Sequence, residues 1–442
     1  MQLASLSFAA FALAGSAAAQ IHVDASAPAG GDGTTWATAY SSLDDALSVA
    51  SPGNHVWVAR GVYRPSVRRD PADPRSASFA PGRGVRLFGG FDGTETTLSD
   101  RAGLFDETVL EGERGAPGFR RDNVRNVVRL EGNGAIHVVD GFTIQGGYAD
   151  GSGLGRGGGA ISSQLGTKTI RNCRMTGNYG RIGGALLTQI SIVQLSGCTF
   201  EANGAAERGG AAWITGQFTG MNCVFDRNVA RGTGGALHIT QGVTDTAGVA
   251  YPRFQNTVFK DNLATWGGAA FVADPPGGVA PGRAAFSGCT FVGNGAFVRG
   301  AAIGTPLEFS PNIEVQLVNS IVWGNRAVDG TMLSGDPMHY QVVARSIVQS
   351  GWPGATVLDV DPLFVDLAAR DLELSAGSPA IDAGDTELIL RDELDLDGDD
   401  DFIEPTPFDA AGRARRIDDP LTADTGAGTL PTVDLGAFEY DG

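Results

Sequence analysis

"NCVFDRNVARGTGGAL", residues 222–237, decides the fold of this chain, because it returns in altered form along the sequence. NCRMTGNYGRIGGAL begins at 172, GCTFEANGAAERGGAA at 197, NTVFKDNLATWGGAA at 256, GCTFVGNGAFVRGAA at 288 and NSIVWGNRA at 319. The reference positions Cys173, Cys198, Cys223, Thr257, Cys289, Ser320 and Ser346 are separated by 25, 25, 34, 32, 31 and 26 residues. A constant minimum with irregular additions is the mark of a solenoid whose coils carry loops on some turns. Two places after each reference position stands Met175, Phe200, Phe225, Phe259, Phe291, Val322 or Val348, an i, i+2 pair of core-type residues and therefore a strand period. Strand-built coils that bury their faces only by stacking predict an all-β, right-handed parallel β-helix of roughly ten coils.

The rest of the repeat has a structural purpose. Asn178, Asn203, Asn228, Asn262, Asn294 and Asn325 each follow the reference position by five residues. Asparagine tolerates the left-handed bend between strands, and stacked amides about 4.8 Å apart can bond up and down the stack. The Gly-Gly pairs 183–184, 209–210, 234–235 and 267–268 mark a second corner. All four cysteines occupy one inward position, where neighbouring Cβ vectors run parallel and a disulfide dihedral near 90° is lost, so a stack of unpaired thiols is expected.

Composition agrees with a turn-rich repeat: 65 glycines without a triplet period, beside 42% hydrophobic residues. A formal charge of −18 argues against nucleic acid and anionic membrane as partners. The first twenty residues, MQLASLSFAAFALAGSAAAQ, hold an apolar run too short to span a bilayer and an A-x-A pattern, which predicts a secretory signal at 1–19. No later segment is apolar enough for a membrane helix, so an exported, monomeric protein is expected. Ser42 with Asp45 three residues on predicts a short helix that caps the open end of the core. The division read from these signals is 20–84 for the cap and first strands, 85–385 for the β-helix and 386–442 for an acidic C-terminal segment.

VDASAPAGGDGTTWATAYSSLDDALSVA (23–50), VWVARGVYRP (56–65), LFGGFDGTETTLSDR (87–101) and DGFTIQGGYADG (140–151) resemble secreted bacterial right-handed β-helix proteins of the pectin-lyase-like superfamily. DPLFVD (361–366), DLELSAGSPAIDAGD (371–385) and VDLGAFEY (433–440) resemble the C-terminal region found in choice-of-anchor proteins. The resemblance implies the fold and an extracellular or cell-surface life. It implies no particular reaction.

Enzymes of this fold act mostly on acidic polysaccharides, and their requirements can be sought here. A hydrolase needs clustered aspartates, and a lyase needs a carboxylate-held Ca²⁺ with an Arg or Lys base. Arg181, Arg208, Arg231 and Arg299 recur near the glycine corner, but no carboxylate set accompanies them in the sequence. By period two, Leu187, Trp213, His238, Phe271 and Ile303 share an outward face. Trp213, His238 and Phe271 are thus candidate substrate-binding residues, a strip along which sugar rings could lie. Alternatively, the loops at 241–253 and 273–283 fold over the strip and bury it. Two functions follow: an extracellular, non-catalytic adhesive or carbohydrate-binding protein, with a polysaccharide or cell-surface glycan as partner, or a polysaccharide lyase or glycoside hydrolase.

The run RDELDLDGDDDFIEP carries one further expectation. Read as a twelve-residue loop from Glu393, it places Asp395, Asp397, Asp399, Asp401 and Glu404 at positions 3, 5, 7, 9 and 12, with Gly398 at the sharp turn. Oxygen ligands at alternate positions suit a structural Ca²⁺, against the alternative of a solvated acidic loop.

Overall fold

In the computed structural model, residues 19–442 are described, apart from 102, 104, 133, 135, 241–250, 275–281, 309, 311 and 312. The segment 1–19, read from sequence as a secretory signal, therefore lies outside the described residues except for Ala19. The strands stack in parallel into a right-handed β-helix. Two sheets of eleven strands run the length of the molecule, one from Gln20–Val23 to Tyr340–Ala344 and the other from Gly61–Tyr63 to Val357–Leu358. An eight-stranded sheet from Val128–Glu131 to Leu333–Ser334 and a seven-stranded one from Tyr148–Ala149 to Arg326–Ala327 complete the cross-section. The short helix Leu43–Val49 starts at Ser42, whose hydroxyl accepts from Asp45 N at 3.3 Å, and it inserts Leu43 and Ala46 into the end of the core. Beyond Leu358 the chain makes the antiparallel pair Phe364–Asp366 and Asp371–Leu374 and an irregular segment that folds back along the stack.

The repeat read from sequence is the physical register. Met175, Phe200, Phe225, Phe259, Phe291, Val322 and Val348 are Cα partners in consecutive coils. From Phe200 to Phe291 the rings stack with centroids 4.8, 5.0 and 4.7 Å apart. Removal of one such ring would cost about 3–5 kcal/mol. Cys173, Cys198, Cys223 and Cys289 are all buried and free.

The asparagines form a continuous ladder. Each side-chain amide donates to the next, from Asn178 to Asn203, Asn228, Asn262, Asn294 and Asn325, at 3.1, 3.0, 2.9, 2.9 and 2.9 Å. The left-handed bend expected at these residues lies one place earlier, at Gly177, Ala202, Arg227, Asp261, Gly293 and Gly324. The asparagine is selected for its amide, which satisfies backbone groups that a buried bend would leave unpaired.

Candidate functional site

The glycine corners set two columns side by side. Gly209, Gly234, Gly267 and Gly300 adopt φ between 62° and 68°, and a Cβ on Gly234 would lie 1.9 Å from Leu237 O, so only glycine fits. Just before these glycines stand Arg208, Thr233, Trp266 and Arg299, in register up the stack. Four residues after them stand Trp213, His238, Phe271 and Gly304, also in register. The last coil departs from the sequence reading. Its corner begins at Gly300 rather than Arg299, so Ile303 pairs with Ala270 and faces the core, and Gly304 takes the outward place. A Cβ there would sit 3.1 Å from Phe271 Cδ2, so glycine leaves the strip room at this level.

Trp213, His238 and Phe271 line one cleft of about 490 Å³, with Arg208, Thr233, Thr240, Trp266, Asp274, Arg299 and the turn Thr305–Glu308. This is within the usual size of small-ligand sites. A cavity of about 460 Å³ adjoins it and shares Arg208, Thr233 and Trp266. The strip does not offer ring faces as expected. His238 and Phe271 stack on each other, centroids 5.7 Å apart at 3°, and are only 2% and 7% exposed. Strand stacking turns their faces along the axis and leaves edges to the cleft. Trp213 is half-buried, with the Arg156 guanidinium 5.2 Å from its ring centre. The exposed aromatic is Trp266, at 44%. The loops expected to cover the strip fall largely at 241–250 and 275–281, outside the described residues.

The electrostatics of the cleft follow from burial. His238 is held neutral, its pKa pushed down to about 3, first by burial and then by the charge of Arg208. Its Nδ1 lies 2.8 Å from Thr233 Oγ1, while its Nε2 has no partner among the described residues. Trp213 Nε1, Thr240 Oγ1 and Asp274 Oδ1 are likewise buried and without a partner among the described residues. Such orphan atoms cost about 1–3 kcal/mol each unless a group beyond the described residues meets them. A third cavity of about 500 Å³ contrasts with this, because its arginines are already committed: Arg69 and Arg129 to Glu131, Arg75 to Asp150 and Arg125 to Asp73.

Sequence reasoning missed three members of the cleft. Trp266 sits in the column just before the corner, where its neighbours Arg208, Thr233 and Arg299 are polar, so comparing the repeats at that position would have picked it out. Asp274 and Glu308 come from connections after the strands, so no repeat position announces them. They bring carboxylates into the cleft that also holds Arg208 and Arg299.

In the acidic loop, Asp395, Asp397 and Asp399 bring one oxygen each within 4.8 Å of one another, and Asp397 also meets Asp392 and Glu404. Asp401 belongs to neither group and instead accepts from Ile403 N at 2.9 Å. Glu393, the first position of the twelve-residue reading, is turned away into an ion pair with Arg253 at 2.7 Å, while its neighbour Asp392 is fully buried and accepts from Leu394 N and Leu396 N.

No family model and no curated protein matches the chain. Among solved structures it is similar to a pectin methylesterase from Aspergillus niger, at 13% identity and a TM-score of 0.41 over 72% of this chain and 90% of that one. It is also similar to a pectate lyase, at 13% identity and 0.40 over 96% of each chain, and to a pectin methylesterase from carrot, at 11% and 0.29 over 73% and 88%. Likenesses this distant transfer no activity and no site residue.

Proposed function

We propose that this chain is an extracellular, non-catalytic carbohydrate-binding protein whose ligand occupies the Trp266 cleft. The reading rests on one observation: donors and an acceptor without partners among the described residues converge beside an exposed indole. A sugar presents hydroxyls to Trp213 Nε1, His238 Nε2, Thr240 Oγ1 and Asp274, and a C–H face to Trp266. Arg208 and Arg299 favour acidic glycans. A glycan-array screen followed by calorimetry on the best ligand tests the reading, and a screen without ligand, or a ligand indifferent to Trp266→Ala, overturns it.

A second reading, cleavage of an acidic polysaccharide, is favoured by the unpartnered Asp274 oxygen in the same cleft as Glu308. Rising ultraviolet absorbance with uronate polymers reports elimination, and new reducing ends report hydrolysis. Either activity, lost in Asp274→Asn, would replace the binding reading.

Three expectations join the proposal. The chain is exported after cleavage at Ala19, which would leave the first strand intact from Gln20. It acts as a monomer at or near the cell surface. The acidic loop holds a structural Ca²⁺ through Asp397 with its carboxylate neighbours, relieving their repulsion; the charges of Asp397, Asp399 and Asp401, after burial, hold the Glu404 carboxyl above its ordinary value. Among the described residues no helix is long and apolar enough to cross a membrane.

A further inference from the structure

Asp382, Asp418 and Asp424 lie outside both the cleft and the acidic loop, and one oxygen of each is within 4.8 Å of the others. They are far apart in sequence and are brought together by the way the C-terminal segment wraps. Asp382 occupies a left-handed position, φ 51°, in the turn that closes the SPAIDAGD stretch. Its carbonyl accepts from Thr425 N, Gly426 N and Thr432 Oγ1 at 3.0, 2.8 and 3.0 Å, which lays the 418–432 segment over this turn. Asn319, on the β-helix itself, clamps the other side by accepting from Asp385 N and donating to Asp385 O.

Asp382 is 0% exposed, and its Oδ1 has no hydrogen-bond partner among the described residues. Only a long contact from Asp419 N, 3.4 Å, reaches the other oxygen. Other deeply buried carboxylates either meet an arginine, as Glu439 does with Arg415 at 2.5 Å, Asp409 with Arg413 at 3.3 Å and Asp140 with Arg101 and Arg171, each at 3.1 Å, or accept a backbone N–H on each oxygen, as Asp392 and Asp434 do. Among the described residues no lysine or arginine pairs with Asp382, Asp418, Asp419 or Asp424. Burial, then the charges of Asp424, Asp418 and Asp419, pushes the Asp382 carboxyl up to about 6. A carboxylate buried with an idle oxygen and faced only by like charge lacks a counter-charge.

We propose that Asp382, Asp418 and Asp424 form a divalent-cation site of the kind Ca²⁺ fills. The donors are all carboxylate oxygens, without His or Cys, which selects a hard cation over zinc or copper. Three carboxylates offer up to about six oxygens toward the six to eight that Ca²⁺ takes, and water reaches the remainder because Asp418 and Asp424 are exposed. A bound ion would staple the turn at Asp382 to the 418–426 loop and so hold the C-terminal segment against the coils.

The test is calorimetric titration of the chelator-treated full-length protein with CaCl₂, beside an Asp418→Asn/Asp424→Asn variant. Both side chains are exposed, so this variant keeps its fold, checked by circular dichroism. The expected result is one Ca²⁺ fewer per chain and a smaller rise in melting temperature on Ca²⁺ addition. To separate this site from the acidic loop, the same pair is changed in an Asp397→Asn/Glu404→Gln background. That background must still bind one Ca²⁺, and the added substitutions must remove it. Asp382→Asn, which removes the orphan charge but keeps the shape, is expected to melt higher than the parent without Ca²⁺ while losing this part of the Ca²⁺ response. A parent that takes up no Ca²⁺, a background that binds none, or an exposed-pair variant with unchanged stoichiometry and affinity overturns the proposal.

Discussion

Inside the stack of coils, Lys168 Nζ lies 3.2 Å from Nδ1 of His137, and both side chains are fully buried. Both point inward, Lys168 in register with Val193 on the next coil. Burial pushes the Lys168 ammonium down from 10.5 to about 8, and burial together with that charge pushes His137 down to about 4. The unfolded chain therefore holds the lysine proton more tightly than the folded one. The resulting penalty is full below pH 8 and fades as pH rises towards 10.5; a displacement of that size corresponds to about 3 kcal/mol. Lys168→Met is expected to raise stability by about 1–2 kcal/mol at pH 7, after the loss of the His137 contact, and to gain nothing near pH 10.5. Urea unfolding of parent and variant at the two pH values measures this, and an equal gain at both would assign the effect to packing instead.

The asparagine ladder should be costly to interrupt. Asn228 Oδ1 accepts from both the backbone and the side chain of Asn203, while its Nδ2 serves Phe200 O and Asn262 Oδ1. Asn228→Ala removes side-chain partners from both flanking coils, and a loss of about 3 kcal/mol or more is expected in denaturant unfolding. A loss below about 1 kcal/mol would mean that water enters and replaces the amide.

Within the cleft, binding and stability should separate by residue. Trp266→Ala is expected to weaken glycan binding at least tenfold and leave the melting temperature nearly unchanged, since this ring is exposed. Phe271→Ala, at a buried ring packed on His238, is expected to cost about 3 kcal/mol of stability. Calorimetry and thermal melts on both variants check the contrast, which fails if Trp266 proves the more destabilising loss.

The thiols give a chemical test of the coil interior. Burial pushes Cys173 and Cys289 each up to about 12, so thiolate is scarce at neutral pH as well as inaccessible. A colorimetric thiol reagent should titrate almost nothing in the native protein and four thiols after denaturation without reductant. Fewer than four would reveal a disulfide and break the parallel stacking of these side chains.

The coil was legible from sequence because each of its features is local and repeated. The Cys-x-Phe pair, the asparagine five residues on and the Gly-Gly corner recur at nearly constant offsets, and parallel stacking converts equal offsets into contacts. What depends on the stack's third dimension was not legible. Which coil supplies Gly300 as its corner decides that Ile303 points inward, and the axial stacking of rings decides that His238 shows an edge rather than a face. Trp266, Asp274 and Glu308 enter the cleft from a corner and from connections of unequal length, where no period constrains the residue. The same holds for Asp382, Asp418 and Asp424. Their sequence positions carry no common spacing, and only the return of the C-terminal segment across the turn brings their charges together. Local periodicity fixes a repeating backbone, whereas a site built from its interruptions is decided by where the tertiary structure lets those interruptions meet.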